Sequence, residues 1–148
     1  MPTTSAHTVA KFIVQNSENP ISNLKLQKLL YYVQGWYLGI RGTPVFHEPI
    51  QAWIHGPVVP AVFRTYRDFK WTPITVDSQP VKLDERIAKH TMAVLKAYGN
   101  LTAAQLEAIS HEESPWNEVR EGLDPQKPST AVITHESMKR FFGKLAHG

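Results

Sequence analysis

The chain has 148 residues, which suits one domain and leaves no room for two domains of ordinary size. Hydrophobic residues make up 42% of the sequence and charged residues 20%, which is enough apolar material for a folded core. The net charge of +3 is far below the dense positive field of a dedicated nucleic-acid binder. Because there is no cysteine, disulfides, thiolate metal sites and cysteine nucleophiles are excluded.

The sequence shows no targeting or membrane signal. Residues 1–5 have neither the basic start nor the following apolar run of a signal peptide. No stretch approaches the ~20 consecutive apolar residues that a membrane helix needs. We therefore expect a cytoplasmic protein that has no membrane partner.

Helical periodicity dominates the first third of the chain. It predicts a helix over about 5–15 and a longer helix that begins after the cap Ser22 and stops at Gly42. On this second helix, Gln27 and Gln34 lie seven residues apart on one face. They are either a buried hydrogen-bonded pair or plain surface.

The next segment has β character. Residues 44–46 and 50–54 are rich in β-branched and aromatic side chains, which predicts two short extended segments and a small hairpin that ends at Gly56. A helix is then expected with Pro60 in its first turn, where the missing N–H costs nothing, and with an apolar face that continues to Phe69. Residues 74–76 could add a brief strand to the loop that follows.

The rest of the chain reads as helices joined by polar loops. They are expected over 83–98, after the capping box that starts at Thr102, after the cap Ser114, and after a cap at Thr134 or His135. We therefore predict a mainly α (α+β) fold. It is a compact single-domain bundle of about six to seven helices, residues 1–148, with a small β-hairpin element near residues 44–56.

The sequence lacks the motifs of an enzyme. No serine lies in a Gly-x-Ser-x-Gly elbow, and no glycine-rich phosphate loop is present. His111 precedes two glutamates but lacks the second histidine of a helical zinc site. His47 and His55 could share one face of the extended stretch, but no third ligand accompanies them. We predict no catalytic residue, no metal and no cofactor, and a His-dependent hydrolase remains the enzymatic alternative.

DNA binding would need a helix-turn-helix, and residues 101–121 offer two short helices around a turn. The segment 101–124 holds six acidic residues and one basic residue, which is the wrong sign for a helix that faces phosphates. Residues 1–71, with seven basic and three acidic residues, carry the opposite charge. The sequence therefore argues against nucleic acid as a partner, and a DNA-binding repressor is the lesser alternative.

Side chains suited to a protein interface are abundant, with four Trp and five Tyr in the chain. Trp36 falls on the apolar stripe of its helix and is assigned to the core, whereas other aromatic residues lie beside turns or off the stripes. The predicted partner-binding residues are Tyr32, Gln34, Trp53, His55, Arg64, Tyr66, Arg67, Lys70, Trp71 and Trp116. The same surface could also serve a homodimer.

Three motifs carry a family resemblance. Residues 21–36 read ISNLKLQKLLYYVQGW, residues 48–60 read EPIQAWIHGPVVP, and residues 111–116 read HEESPW. Arg120 and a closing segment, 133–142, follow them. Together these motifs resemble the SocA-like, or Panacea, antitoxin domain over about residues 8–142. One departure is Phe63, where the family commonly has a tyrosine.

The resemblance implies an antitoxin of a bacterial or prophage toxin–antitoxin pair. Such domains neutralise a cognate toxin, encoded by a neighbouring gene, mainly by direct protein binding. A relative is also associated with delivery of its toxin to a protease, so a proteolytic adaptor with a host protease as second partner is the alternative. Some relatives carry an added DNA-binding domain, for which this chain is too short.

Overall fold

Seven α-helices and a small antiparallel sheet make up residues 4–148, the part of the chain that the computed structural model describes. The helices are α1 (Ala6–Asn16), α2 (Asn23–Arg41), α3 (Pro60–Thr65), α4 (Glu85–Tyr98), α5 (Ala103–His111), α6 (Ser114–Glu118) and α7 (His135–His147). The strands are β1 (Ile50–Trp53), β2 (Gly56–Val58) and β3 (Val132–Ile133), in the order β2–β1–β3. The prediction of a mainly α fold with a small β element is confirmed.

Helix α2 lies at the centre and is buried around nearly its whole circumference. The Ser22 hydroxyl caps its start by accepting a hydrogen bond from the backbone N–H of Lys25, and Gly42 ends it in the left-handed conformation. Helices α1, α4, α5 and α7 and strand β2 all pack against it. Its polar side chains therefore need partners inside the protein.

The two glutamines of α2 are both completely buried, but they do not bond to each other. Gln34 Oε1 accepts a 2.8 Å hydrogen bond from the N–H of Val45, and Gln34 Nε2 donates a 2.7 Å bond to the carbonyl of Phe46. In the same way, Gln27 Oε1 accepts a 2.9 Å bond from the N–H of Val59. Each glutamine thus fixes the backbone of a different loop onto the central helix.

The predicted hairpin is present, but its strands are not the predicted ones. Strand β1 pairs with β2, with Trp53 opposite Gly56, so Gly56 belongs to the second strand rather than ending the hairpin. Residues 44–46 form no strand because Gln34 takes up their backbone polar groups. Strand β3 was not predicted, since two residues are too few to show a period.

Three other local predictions are wrong in detail. Ser114 is the first residue of α6 rather than its cap, and the cap position belongs to Glu113, whose side chain makes no capping bond. Residues 74–76 form no strand, because a single backbone hydrogen bond ties them to the segment before α2. Helix α3 ends at Thr65, and a separate 3-10 turn, Arg67–Phe69, follows it.

Helices α2 and α7 approach closely because glycines of α2 face Phe142. A Cβ atom at Gly39 would lie 2.6 Å from the carbonyl carbon of Phe142, and one at Gly35 would lie 2.2 Å from its ring. Phe142 is completely buried at this contact, and its ring centroid is 5.2 Å from that of Trp36. This contact is the most extensive one between any two elements in the described part of the chain.

We expect Gly39→Ala to lower the free energy of unfolding by about 2 kcal/mol or more, because the added methyl group meets backbone that cannot move aside. The matched control is Gly143→Ala on the facing helix. A Cβ there would lie 3.6 Å from the nearest atom, the carbonyl oxygen of Gly39, so it is accommodated and gains up to about 1 kcal/mol of helix propensity. Urea denaturation of both variants checks this, and equal effects would contradict the close approach.

Candidate functional site

The β1–β2 hairpin is shaped by a glycine that lies over a buried lysine. Gly56 has a φ of 106°, a conformation that favours glycine, and a Cβ there would lie 2.6 Å from Cε of Lys28. Lys28 is 1% exposed, and its Nζ donates a 3.3 Å hydrogen bond to the carbonyl of Pro57. Burial lowers the pKa of Lys28 to about 8, and the carboxylate of Glu107 opposes this shift. The lysine therefore holds strand β2 against α2.

The other side of the hairpin is fixed by Arg120, which is almost completely buried. Its Nη1 donates a 2.9 Å hydrogen bond to the carbonyl of Ala52, and its Nη2 donates a 2.5 Å bond to the carbonyl of Lys127. The guanidinium lies 4.8 Å from the ring centroid of Trp116, whose Nε1 donates a 2.8 Å bond to the carbonyl of Trp53. The loop after α6 is thus tied to strand β1.

A buried carboxylate joins α6 to α2. The hydroxyls of Tyr31 and Tyr32 both donate to Glu113 Oε1, at 3.0 and 3.1 Å. Burial raises the pKa of Glu113 to about 7, although the two hydroxyls act in the opposite direction. The ring of Tyr32 also stacks on that of Tyr98, with 4.1 Å between centroids. This cluster is a structural link, since it joins Tyr31 and Tyr32 of α2 to Tyr98 of α4 and to the cap residue of α6.

An apolar groove of about 430 Å³ opens beside the hairpin turn. Its walls are Leu24, Trp53, Ile54, His55, Val58, Phe63 and residues 128–130. The rings of Trp53 and Phe63 meet edge to face with 5.1 Å between centroids, and Leu24 remains 39% exposed. Solvent-facing apolar side chains from three separate segments therefore converge here, and we take this groove as the candidate site.

The structure sorts the ten predicted partner-binding residues by exposure. Five of them are exposed: His55, Arg64, Arg67, Lys70 and Trp71. Two are half-buried, Trp53 and Tyr66, and three are buried, Tyr32, Gln34 and Trp116. The last three belong to the core, which corrects their assignment to a contact surface. The physical reason is that α2 and α6 are enclosed on several sides, so a position off the apolar stripe is not thereby exposed.

The other seven residues do not form one cluster. Trp53 and His55 line the groove, whereas Tyr66 lies near Lys11 and Asp77. Whether any of the seven contacts a partner stays a prediction.

The ten predicted contact residues do not include Leu24, Ile54, Val58, Phe63 or residues 128–130, which also line the groove. Leu24 carried a usable signal, since it is apolar but lies off the apolar stripe of α2.

The two histidines that were weighed as metal ligands lie apart. His55 Nδ1 is 3.3 Å from a carboxylate oxygen of Glu107, whereas His47 acts electrostatically on His135. Within residues 4–148, no group of three His, Asp or Glu side chains could hold a metal ion. No helix in that range is long and apolar enough to cross a membrane.

Comparison with known proteins adds the family. The family model described as "Antitoxin SocA-like, Panacea domain" matches residues 26–117. The chain is 31% identical over 135 residues to Antitoxin SocA of Caulobacter vibrioides (strain NA1000 / CB15N), and the match covers 79% of this chain and 71% of that protein. This chain belongs to the SocA-like antitoxin family. No solved structure matches it.

The family model covers both buried and exposed parts of this SocA-like chain, since the groove residues Trp53, Ile54, His55, Val58 and Phe63 lie within its match. Residues 26–117 include most of α2, the hairpin and the buried Trp116. Leu24 and residues 128–130, which form part of the groove wall, lie outside it.

The buried Glu113 predicts a pH dependence of stability. Its pKa of about 7 in the folded protein exceeds its ordinary value of 4.5, so the folded state binds more protons than the unfolded state between these values. The contribution of this carboxyl to the free energy of unfolding therefore falls as the pH rises from 4.5 to 7 and is constant above that.

We expect Glu113→Gln to remove this dependence, because the amide cannot ionise but still offers an oxygen to both tyrosines. Relative to the variant, the wild type should lose on the order of 2–3 kcal/mol between pH 4.5 and 8, as measured by urea denaturation. Glu121→Gln is the control, since the Glu121 side chain is exposed and does not contribute to the shift of Glu113. A difference between wild type and Glu113→Gln that does not change with pH would contradict the prediction.

Proposed function

We propose that this protein is an antitoxin that neutralises a toxin by direct, stoichiometric binding, and that the hairpin groove is part of the contact surface. Family membership supports the antitoxin role, and the open apolar groove is the observation that supports direct binding. A concave apolar surface of this kind is a favoured place for a binding partner.

The make-up of the groove fits a protein partner. Its centre is the edge-to-face pair of Trp53 and Phe63, and aromatic side chains of this kind dominate the energetics of protein interfaces. Polar groups accompany these rings: Nδ1 of the wall residue His55 lies 3.3 Å from a carboxylate oxygen of Glu107, and the exposed Arg64 follows Phe63 in the sequence. An apolar centre within a polar rim is the usual anatomy of such a contact.

The groove is also held rigid before any partner arrives. Arg120 fixes the carbonyl of Ala52, Trp116 fixes the carbonyl of Trp53, and Lys28 fixes the carbonyl of Pro57. Because these backbone positions are already ordered, binding costs little conformational entropy. Neutralisation by such binding needs no catalytic group, so we propose that the protein is not an enzyme. We further propose that it is a single domain that acts in the cytoplasm.

The variant Leu24→Glu tests the groove. Leu24 is exposed in the first turn of α2, so the new carboxylate is tolerated by the fold but would be buried without a partner in a complex. We expect it to weaken toxin binding by about tenfold or more and to abolish growth rescue. Met92→Glu on α4, at a position that is 42% exposed, is the matched control and should keep both toxin binding and growth rescue.

The measurement uses the product of the reading frame beside this gene as the candidate toxin. It is induced alone and together with this protein, growth is scored, and the complex is captured from rescued cells. A stable complex with an unchanged amount of toxin supports direct neutralisation. Toxin that disappears only when the host protease is present would assign a proteolytic adaptor, and rescue at far less than one antitoxin per toxin would point to an enzyme.

A further inference from the structure

Trp71 is the most exposed of the large hydrophobic side chains in the described part of the chain, at 80% exposure, and it lies on the loop after α3. A tryptophan that is covered by a partner removes a large apolar area from water at the cost of only two side-chain torsions. Such a residue on an exposed turn is therefore a candidate contact residue for a binding partner.

The turn that carries Trp71 has a strained backbone. Lys70 has φ 55° and ψ −121°, the first central position of a type II′ turn, which glycine usually occupies. The N–H and the hydroxyl of Thr72 both donate to the carbonyl of Phe69, at 2.9 and 2.5 Å, and close the turn. Because the Lys70 side chain is exposed, folding stability alone favours glycine here. The strain points to a use for the lysine outside the folded core.

Basic residues precede Trp71 in the same segment of the chain. Arg64, Arg67 and Lys70 are all exposed, and none of them forms an ion pair with another residue in the range 4–148. Asp68 supplies the single carboxylate of this stretch. Residues 64–71 therefore carry an exposed aromatic side chain and three exposed cations that form no ion pair within the described range.

Both ends of the turn are anchored in the fold. Phe69 packs against the core, and the nearly buried Ile74 donates its N–H to the carbonyl of Ile21 at 2.9 Å. The turn is thus held in place between these two points. Because its backbone is already ordered, binding of a partner to the Trp71 ring costs little conformational entropy.

We propose that this turn, residues 69–72, is a second contact with the toxin. Trp71 enters an apolar pocket of the toxin, and carboxylates at the rim of that pocket pair with Arg64, Arg67 and Lys70. The inference rests on the proposed function and deepens it by naming the chemistry of the partner's surface. Phe63 of the apolar groove and Arg64 are consecutive residues of helix α3. We therefore expect one partner to contact both surfaces, and a protein suits them better than a nucleic acid because the apolar groove offers no charge to phosphates.

The test measures the affinity of the full chain for the product of the adjoining reading frame, made in a cell-free system. Trp71→Ala should weaken binding by about 30-fold or more, whereas Trp71→Phe should keep most of the affinity. Leu145→Ala, at an apolar position that is 58% exposed on α7, is the matched control and should bind like the wild type.

The charge and the strain are tested separately. Lys70→Gly should raise Tm by about 2–4 °C, because strain is relieved, and yet slow association. Arg64→Gln combined with Arg67→Gln should slow association by about tenfold at low salt and flatten its salt dependence. Lys139→Gln combined with Lys144→Gln, on the exposed side of α7, removes the same amount of positive charge and should have little effect on the association rate or its salt dependence.

Three results would overturn the inference. Wild-type affinity in Trp71→Ala, together with lost affinity in Leu24→Glu, would remove this contact while leaving the proposed function intact. Failure of the wild type to bind at all would overturn both. A Trp71-dependent dimer of the free protein, or Trp71-dependent binding of a labelled single-stranded oligonucleotide with unchanged toxin affinity, would assign the turn to a different partner.

Discussion

Helix α2 is surrounded by protein on nearly every side, so each of its buried polar side chains must find a hydrogen-bond partner inside the fold. Gln34 fixes the backbone at residues 45–46, Gln27 fixes the start of α3, and Lys28 fixes strand β2. Tyr31 and Tyr32 converge on the carboxylate of the α6 cap residue. The loops and the hairpin therefore take their places from α2, because any other arrangement would leave buried donors and acceptors unpaired.

This constraint separates the framework from the surface. Several residues of the motifs that mark the family, among them Gln27, Lys28 and Trp116, are buried and hold elements together. The exposed side chains include those around the hairpin groove and those of Lys70 and Trp71 on their turn. A fixed interior with an adjustable exterior suits a binding protein, since surface residues can change without loss of the hydrogen bonds that define the fold.

The candidate site was only partly predictable. Trp53 and His55 could be placed beside a turn from the sequence, and they do line the groove. Tyr32 and Trp116 belong to the aromatic types that interfaces favour, but cores favour the same types, and only the packing of neighbouring helices showed that these two are enclosed. Residues 128–130 carry no motif and reach the groove because Arg120 holds the loop before them against strand β1.

The sequence by itself determined the helices with clear start and stop signals, such as α2 between Ser22 and Gly42 and α5 with its capping box at Thr102, because these signals act within a few residues. It also determined the mainly α class through the periodicity of apolar residues. Only the tertiary structure decided the pairing of β1, the burial of Gln34, and the convergence of three distant segments at the groove. These features depend on contacts between residues far apart in the chain, and a local pattern carries no information about which distant groups will meet.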